Sequence, residues 1–203
     1  MPSLTPPRLC RPKPETTSAS ADALLLVAGE LMAEVGYGAM TMRQLAARVG
    51  VQAGSLYHHV ASKQDLLLDV LLAVVAQRLD AWQRSRYSRS LQGYLRFMLA
   101  RQRSHPAEEL LLRHESRHLQ AQQRPWLNEA LERLHQPLRQ VIEKAHLGTR
   151  DAGCVTQAIL SLLDTADGLR HREPQVPETW IEAWVVGMSQ AVLHAQAPRP
   201  LPA

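Results

Sequence analysis

Cysteine, aromatic side chains and long apolar runs are all scarce in this chain of 203 residues. Its two cysteines, Cys10 and Cys154, make neither a disulfide framework nor a metal-like spacing. No run approaches the roughly 18 apolar residues of a membrane span, and Val70–Ala76 is among the longest. The opening stretch, MPSLTPPRLCRPKPETTS, has no apolar signal-peptide core. Strand-like alternation and internal repeats are absent. These absences argue against secreted disulfide scaffolds, membrane proteins and β-rich folds. They leave a soluble cytoplasmic protein with no membrane partner and no cofactor as the expectation. The net charge of +4 permits an acidic partner such as DNA without requiring one.

Helical periodicity fills most of the chain. Residues 1–17 are proline-rich and basic and are expected to form a disordered arm. Helices are predicted near 20–35, 41–48, 52–60, 63–84, 91–104, 106–121, 125–147, 151–170 and 179–196, with a tail at 198–203. Gly36 and Gly148 suit helix ends, and Pro137 is expected to kink its helix. The fold class is all-α, with about nine helices. Residues 18–66 are expected to form a helix-turn-helix domain, and 67–197 a second helical domain.

Residues 41–67, TMRQLAARVGVQAGSLYHHVASKQDLL, carry the clearest chemistry. Thr41 with Gln44, and Ser62 with Asp65, write two capping boxes and therefore two helix starts. Between them Gly50 can take the left-handed conformation of a tight turn. Leu45, Val51 and Leu56 then form the expected shared core of a helix-turn-helix. On the second helix Ala53 and Gly54 are small, so the backbone can approach DNA closely. Ser55 offers a hydroxyl and Gln52 a bidentate partner for adenine. Tyr57 and His58 can donate to phosphate oxygens, Lys63 adds charge, and Thr41 opens a helix whose free amides suit a phosphate. The bland alternative makes Tyr57 a cover over the core edge and His58 an ordinary exposed residue.

Residues 23–67 resemble the DNA-binding domain of the tetracycline-repressor (TetR) family. The matching letters are Gly36-Tyr37, Thr41, Leu45-Ala46, Gly50-Val51, Gly54-Ser55-Leu56-Tyr57, His59, Ser62-Lys63 and Leu66. The resemblance implies a homodimeric transcriptional regulator, usually a repressor, that binds a palindromic double-stranded operator and is released by a small effector. It places Thr41, Arg43, Ser55, Tyr57, His58 and Lys63 at DNA-contacting positions. It also implies a dimer interface made by the last two helices. Gln52 departs from the family's usual Ser or Thr, and Val60 from its usual aromatic residue.

Beyond residue 67 the amino-acid pattern speaks more than the resemblance does. Inward helix faces nominate Trp82, Tyr94, Phe97, Met98, Leu111, His114, His118, Trp126 and Leu127 for an effector pocket, with ordinary core packing as the competing reading. An apolar or aromatic effector with one acidic group is expected. Two apolar stripes, one with Val155, Ile159, Leu162, Leu163 and Ala166 and the other with Ile181, Trp184, Val185, Met188 and Val192, suit a dimer interface. Seven arginines between 78 and 103 face one acid, Asp80. They read as a solvated helix face, an anion pocket or added DNA contact.

One motif points elsewhere. His114-Glu115-Ser116-Arg117-His118 fits the H-E-x-x-H pattern of zinc peptidases, in which two imidazoles on one helix face hold zinc and the Glu activates water. A metzincin continuation would need Gly at 121 and His at 124, where Ala121 and Arg124 stand. The expectation is no catalytic residue, no metal and no enzyme. A DNA-binding regulator switched by a partner protein is the other alternative.

Overall fold

The computed structural model describes residues 18–145 and 149–195. The basic arm, the carboxy-terminal tail, Cys10 and Gly148 lie outside the described residues. Nine α-helices and no strand occur among those described. They are α1 (Ser18–Val35), α2 (Met42–Val49), α3 (Ala53–His59), α4 (Lys63–Arg84), α5 (Leu91–Ser104), α6 (Pro106–Leu110), α7 (Arg124–Lys144), α8 (Thr149–Arg172) and α9 (Glu178–His194). None of the described helices is long and apolar enough to cross a membrane. The α7 helix continues through Pro137 as one element.

The chain divides into two compact units. The first takes residues 1–83 and 105–134, the second 84–104 and 135–203. This cut differs from the domain boundary read at 66/67. Its physical reason is α4: Leu66, Leu67, Val70, Leu71, Val74 and Val75 bury into the same core as Leu24, Ala28 and Met32 of α1 and Leu45 and Leu56 of α2 and α3.

Local rules explain the first unit's turns. The α1 helix ends at Gly36, whose φ of 79° is costly for any residue with a Cβ. Its N–H donates to the Met32 carbonyl at 2.9 Å. Thr41 Oγ1 accepts from the Gln44 amide at 3.1 Å, and Gln44 Oε1 accepts from the Thr41 amide at 2.8 Å, completing the capping box. Gly50 closes α2 with φ 78° and ψ 29°. Val51 departs from the expected core: it is 40% exposed. The left-handed turn at Gly50 aims it outward, and Val60 and Met40 join the cluster around Leu45 and Leu56 instead.

The predicted helix over 106–121 is not one α-helix. It is α6, then a π turn at Leu111–Glu115, then a 3-10 turn at Ser116–His118. Pro106 supplies the first turn as expected. Arg78 of α4 is buried against this segment: its Nη2 lies 3.1 Å from Glu108 Oε2 and 2.7 Å from Glu109 Oε1. The Glu108 contact is hydrogen-bonded, whereas the Glu109 Oε1 contact is an ion pair without hydrogen-bond geometry. Arg113 Nε donates to the other Glu109 oxygen at 3.1 Å.

In the second unit, α5 packs on α8 and α9. Gln102, buried on α5, donates to the Leu163 carbonyl at 3.1 Å and accepts from Arg170 Nη1 at 2.8 Å. Arg170 also forks onto both Glu178 oxygens, tying α8 to the start of α9. Arg96 pairs with Glu182 and Arg103 lies near Glu178. The arginine run therefore resolves into separate pairings, one deeply buried, and a uniform solvated face does not describe it.

Candidate nucleic-acid interface

The α2–α3 pair presents the sequence-predicted DNA residues. Thr41 caps α2 and is exposed, as is Arg43's end of that helix by class of neighbouring residues at half-burial. Gln52 sits at the N-cap of α3 and makes no side-chain cap bond, so its amide is not spent on the helix. A Cβ built on Gly54 meets nothing within 4 Å, and Gly54 is exposed. Ala53 and Ser55 are half-buried beside it. Tyr57 is 55% exposed, so it does not serve as a lid on the core. Leu56, on the opposite side, is buried. The short α3 is thus anchored by one face and open on the other, with hydroxyl, amide and phenol groups on the open side. The side chain of His58 lies outside the described residues.

Lys63 takes an unexpected pose. Its ammonium rests 4.3 Å from the centre of the Tyr37 ring and donates to the Gly38 carbonyl at 3.3 Å. Partial burial holds its pKa below the usual lysine value. Burial raises the Tyr37 phenol, and the nearby Asp65 charge adds to the rise.

The H-E-x-x-H letters have a different use here. Glu115 is buried, and its Oε2 accepts from the Tyr37 backbone amide at 3.0 Å. His118 lies 3.7 Å from the same oxygen and packs its ring 5.3 Å from that of Tyr37. The motif straddles a π turn and a 3-10 turn, so the helix face assumed for zinc does not form. Among the described residues no group of three His, Cys, Asp or Glu side chains is arranged to hold a metal ion.

The effector candidates separate. Leu111 and Leu127 belong to the first unit's core, with Trp126 packed against it, and Trp82 is buried in the same unit. Tyr94, Phe97 and Met98 are buried in the second. There the Tyr94 hydroxyl lies 2.9 Å from His135 Nδ1, a partner that the apolar pattern did not reveal. Tyr87 meets Phe97 edge-on at 6.0 Å. His114 and His118 are exposed, contrary to their inward placement, because the π turn rotates the segment beyond Leu111.

The dimer stripes also split. Ile159, Leu163, Ala166, Ile181 and Val185 are buried within the single chain and form its own core. Val155, Leu162, Trp184 and Val192 are half-buried and Met188 is 42% exposed. Trp180, missed in the sequence reading, is 51% exposed and stacks on Trp184 at 6.2 Å.

A capped helix, a glycine turn and a short open-faced second helix define a helix-turn-helix DNA-binding module on an all-helical chain. Residues 24–70 match the family profile described as bacterial regulatory proteins, tetR family, and through this segment the chain belongs to the TetR family. The chain is 41% identical over 61 residues to the HTH-type transcriptional repressor KstR2 of Mycolicibacterium smegmatis, covering 29% of this chain and 30% of that one. It is 39% identical over 70 residues to KstR2 of Rhodococcus jostii, covering 34% and 32%. The match thus spans about a third of the length of these curated relatives. Among solved structures, a TetR transcription regulator from Haloarcula marismortui aligns with a TM-score of 0.67 at 16% identity, over 87% of this chain and 97% of that one. The transcriptional regulator FadR from Bacillus subtilis, in complex with stearoyl-CoA, aligns with a TM-score of 0.64 at 18% identity, over 84% and 94%. At these identities the likeness is one of fold.

Proposed function

We propose that this protein is a ligand-responsive transcriptional regulator, a homodimeric repressor that leaves a palindromic operator when a small effector binds. The observation that carries the reading is α3: one buried face, one open face, and Gly54 with clear space around it. The curated relatives matched over this region are repressors. The FadR of similar fold was solved with an acyl-CoA, which favours an effector with a long apolar part and an acidic end. Gln52 reads a base in this proposal, while Thr41, Arg43, Ser55, Tyr57, His58 and Lys63 contact the backbone.

A fluorescence titration of the duplex upstream of its own gene, at rising salt, tests this. Affinity is expected to fall steeply with salt, since phosphate contacts release counterions. Lys63→Ala is expected to weaken binding to every sequence and to lower the salt slope by about one. Its ammonium must leave Tyr37 and Gly38 to reach a phosphate. Gln52→Ala is expected to change the ranking of operator variants. Tyr57→Phe is expected to weaken binding through loss of the hydroxyl alone. Equal affinity for scrambled DNA, or indifference to salt, would sink the proposal.

For the dimer, the exposed remainder of the α8–α9 stripes is the proposed interface. Met188→Glu is expected to give a scattering mass near the 22.7 kDa of one chain with helicity retained. Ile159→Glu is expected to lose the fold itself, because it puts a charge at a site with no solvent exposure. A well-folded Met188→Glu dimer would place the interface elsewhere.

A further inference from the structure

The buried Glu115 has no part in DNA contact, yet its partner is a backbone amide 78 residues away. That amide belongs to Tyr37, in the loop between α1 and α2. The Tyr37 side chain extends the link: its hydroxyl donates to Gln64 Oε1 at 2.6 Å, and Gln64 Nε2 donates to the His118 carbonyl at 2.5 Å. Gln123 Nε2 reaches the Gln64 carbonyl and Asp65 Oδ1 at 3.4 and 3.3 Å. His118 packs on the Tyr37 ring, whose rim also carries Lys63. Residues 111–118 are therefore fastened both to the loop that precedes α2 and to the first turn of α4.

We infer that residues 111–118 act as a strap across the helix-turn-helix, with Glu115 as a positioning residue that fixes the α1–α2 loop and thereby the presentation of α2 and α3. The chemistry favours this assignment. A buried carboxylate is costly unless it is well bonded, so Glu115 stays inside only while the Tyr37 amide meets it. The loop has little else to hold it: Gly36 and Gly38 flank Tyr37 and contribute no side chain. The π turn is what brings Glu115 inward, since one extra residue per turn shifts the helix face beyond Leu111. The strap's effect on operator affinity rests on the DNA-binding proposal; its effect on the loop does not.

The test is hydrogen exchange on the full-length chain, paired with the operator titration. In Glu115→Ala, amides of residues 36–62 are expected to exchange about tenfold faster or more, while α8 and α9 keep their protection. Operator affinity is expected to fall by a similar factor. Glu115→Gln keeps an acceptor for the Tyr37 amide and is expected to restore both. Unchanged exchange at 36–62, or an equal rise throughout the chain, overturns the inference. If wild type shows the exchange pattern but binds no duplex, the operator reading fails and the strap stands. Should Glu115→Ala fail to accumulate as folded protein, Gln64→Leu decides alone. It removes both links made by the half-buried Gln64 side chain, and unchanged exchange at 36–41 in that variant also overturns the inference.

Discussion

Replacing Arg78 by leucine is expected to remove about 3–5 kcal/mol of stability, seen as a lower urea midpoint at unchanged slope. The cost does not come from the lost attraction alone. Arg78, Glu108 and Glu109 are 3%, 7% and 6% exposed, so the leucine leaves two carboxylates inside with one counter-charge fewer. Arg113 still reaches Glu109, but Glu108 loses the guanidinium that donates to it twice. Arg78→Lys retains the charge and lacks the planar fork, so an intermediate loss is expected. Adding Glu108→Gln to Arg78→Leu is expected to recover part of the stability, because a neutral amide is cheaper to bury than a carboxylate. A loss under about 1 kcal/mol for Arg78→Leu would mean that water reaches the cluster.

Gly93→Ala is expected to be the most damaging single-methyl change in the second unit. A Cβ at this position would stand 2.0 Å from the Ser88 carbonyl oxygen, 2.5 Å from its Oγ and 2.9 Å from its carbonyl carbon. Two of those three atoms are backbone, so no rotamer change relieves the contact. The loop before α5 must shift, breaking the Gly93 N–H bond to Ser90 Oγ and the edge contact between Tyr87 and Phe97. The loss is expected at or above the top of the roughly 1–3 kcal/mol range for overpacking. Thermal unfolding measures it. The double variant Gly93→Ala with Ser88→Ala is expected to remain unstable, since it removes only the hydroxyl. Full recovery in that double variant would show that the side chain, not the backbone, makes the contact.

Helix existence and several boundaries were legible from periodicity and caps. The α4 and α5 helices begin and end where the pattern places them, and both Thr41 and Ser62 cap as their spacing predicts. The open face of α3 was legible as well, because small and polar residues there had no other use. What stayed hidden is longer in range. An apolar stripe records that Ile159 and Val185 leave water, but not whether their cover is the same chain or a second copy. The arginine run gave no sign that Arg78 turns inward, since its acids Glu108 and Glu109 lie 30 residues on. Val51 follows an apolar alternation that one left-handed glycine overrides. Glu115 is the extreme case. Its partner is a backbone amide, which every residue except proline carries, so no side-chain pattern marks it.

The π turn at Leu111–Glu115 makes this segment sensitive to length as well as to composition. A π turn holds about one residue more than an α turn in nearly the same space. Deleting any one of these five residues lets the segment rewind as ordinary α-helix. Whatever follows is then turned by about 100° about the axis. An alignment column that looks like a neutral gap would thus exchange which side chain points at Tyr37. In the divergence of such chains, a single lost codon between 111 and 115 is a change of wiring rather than a shortening.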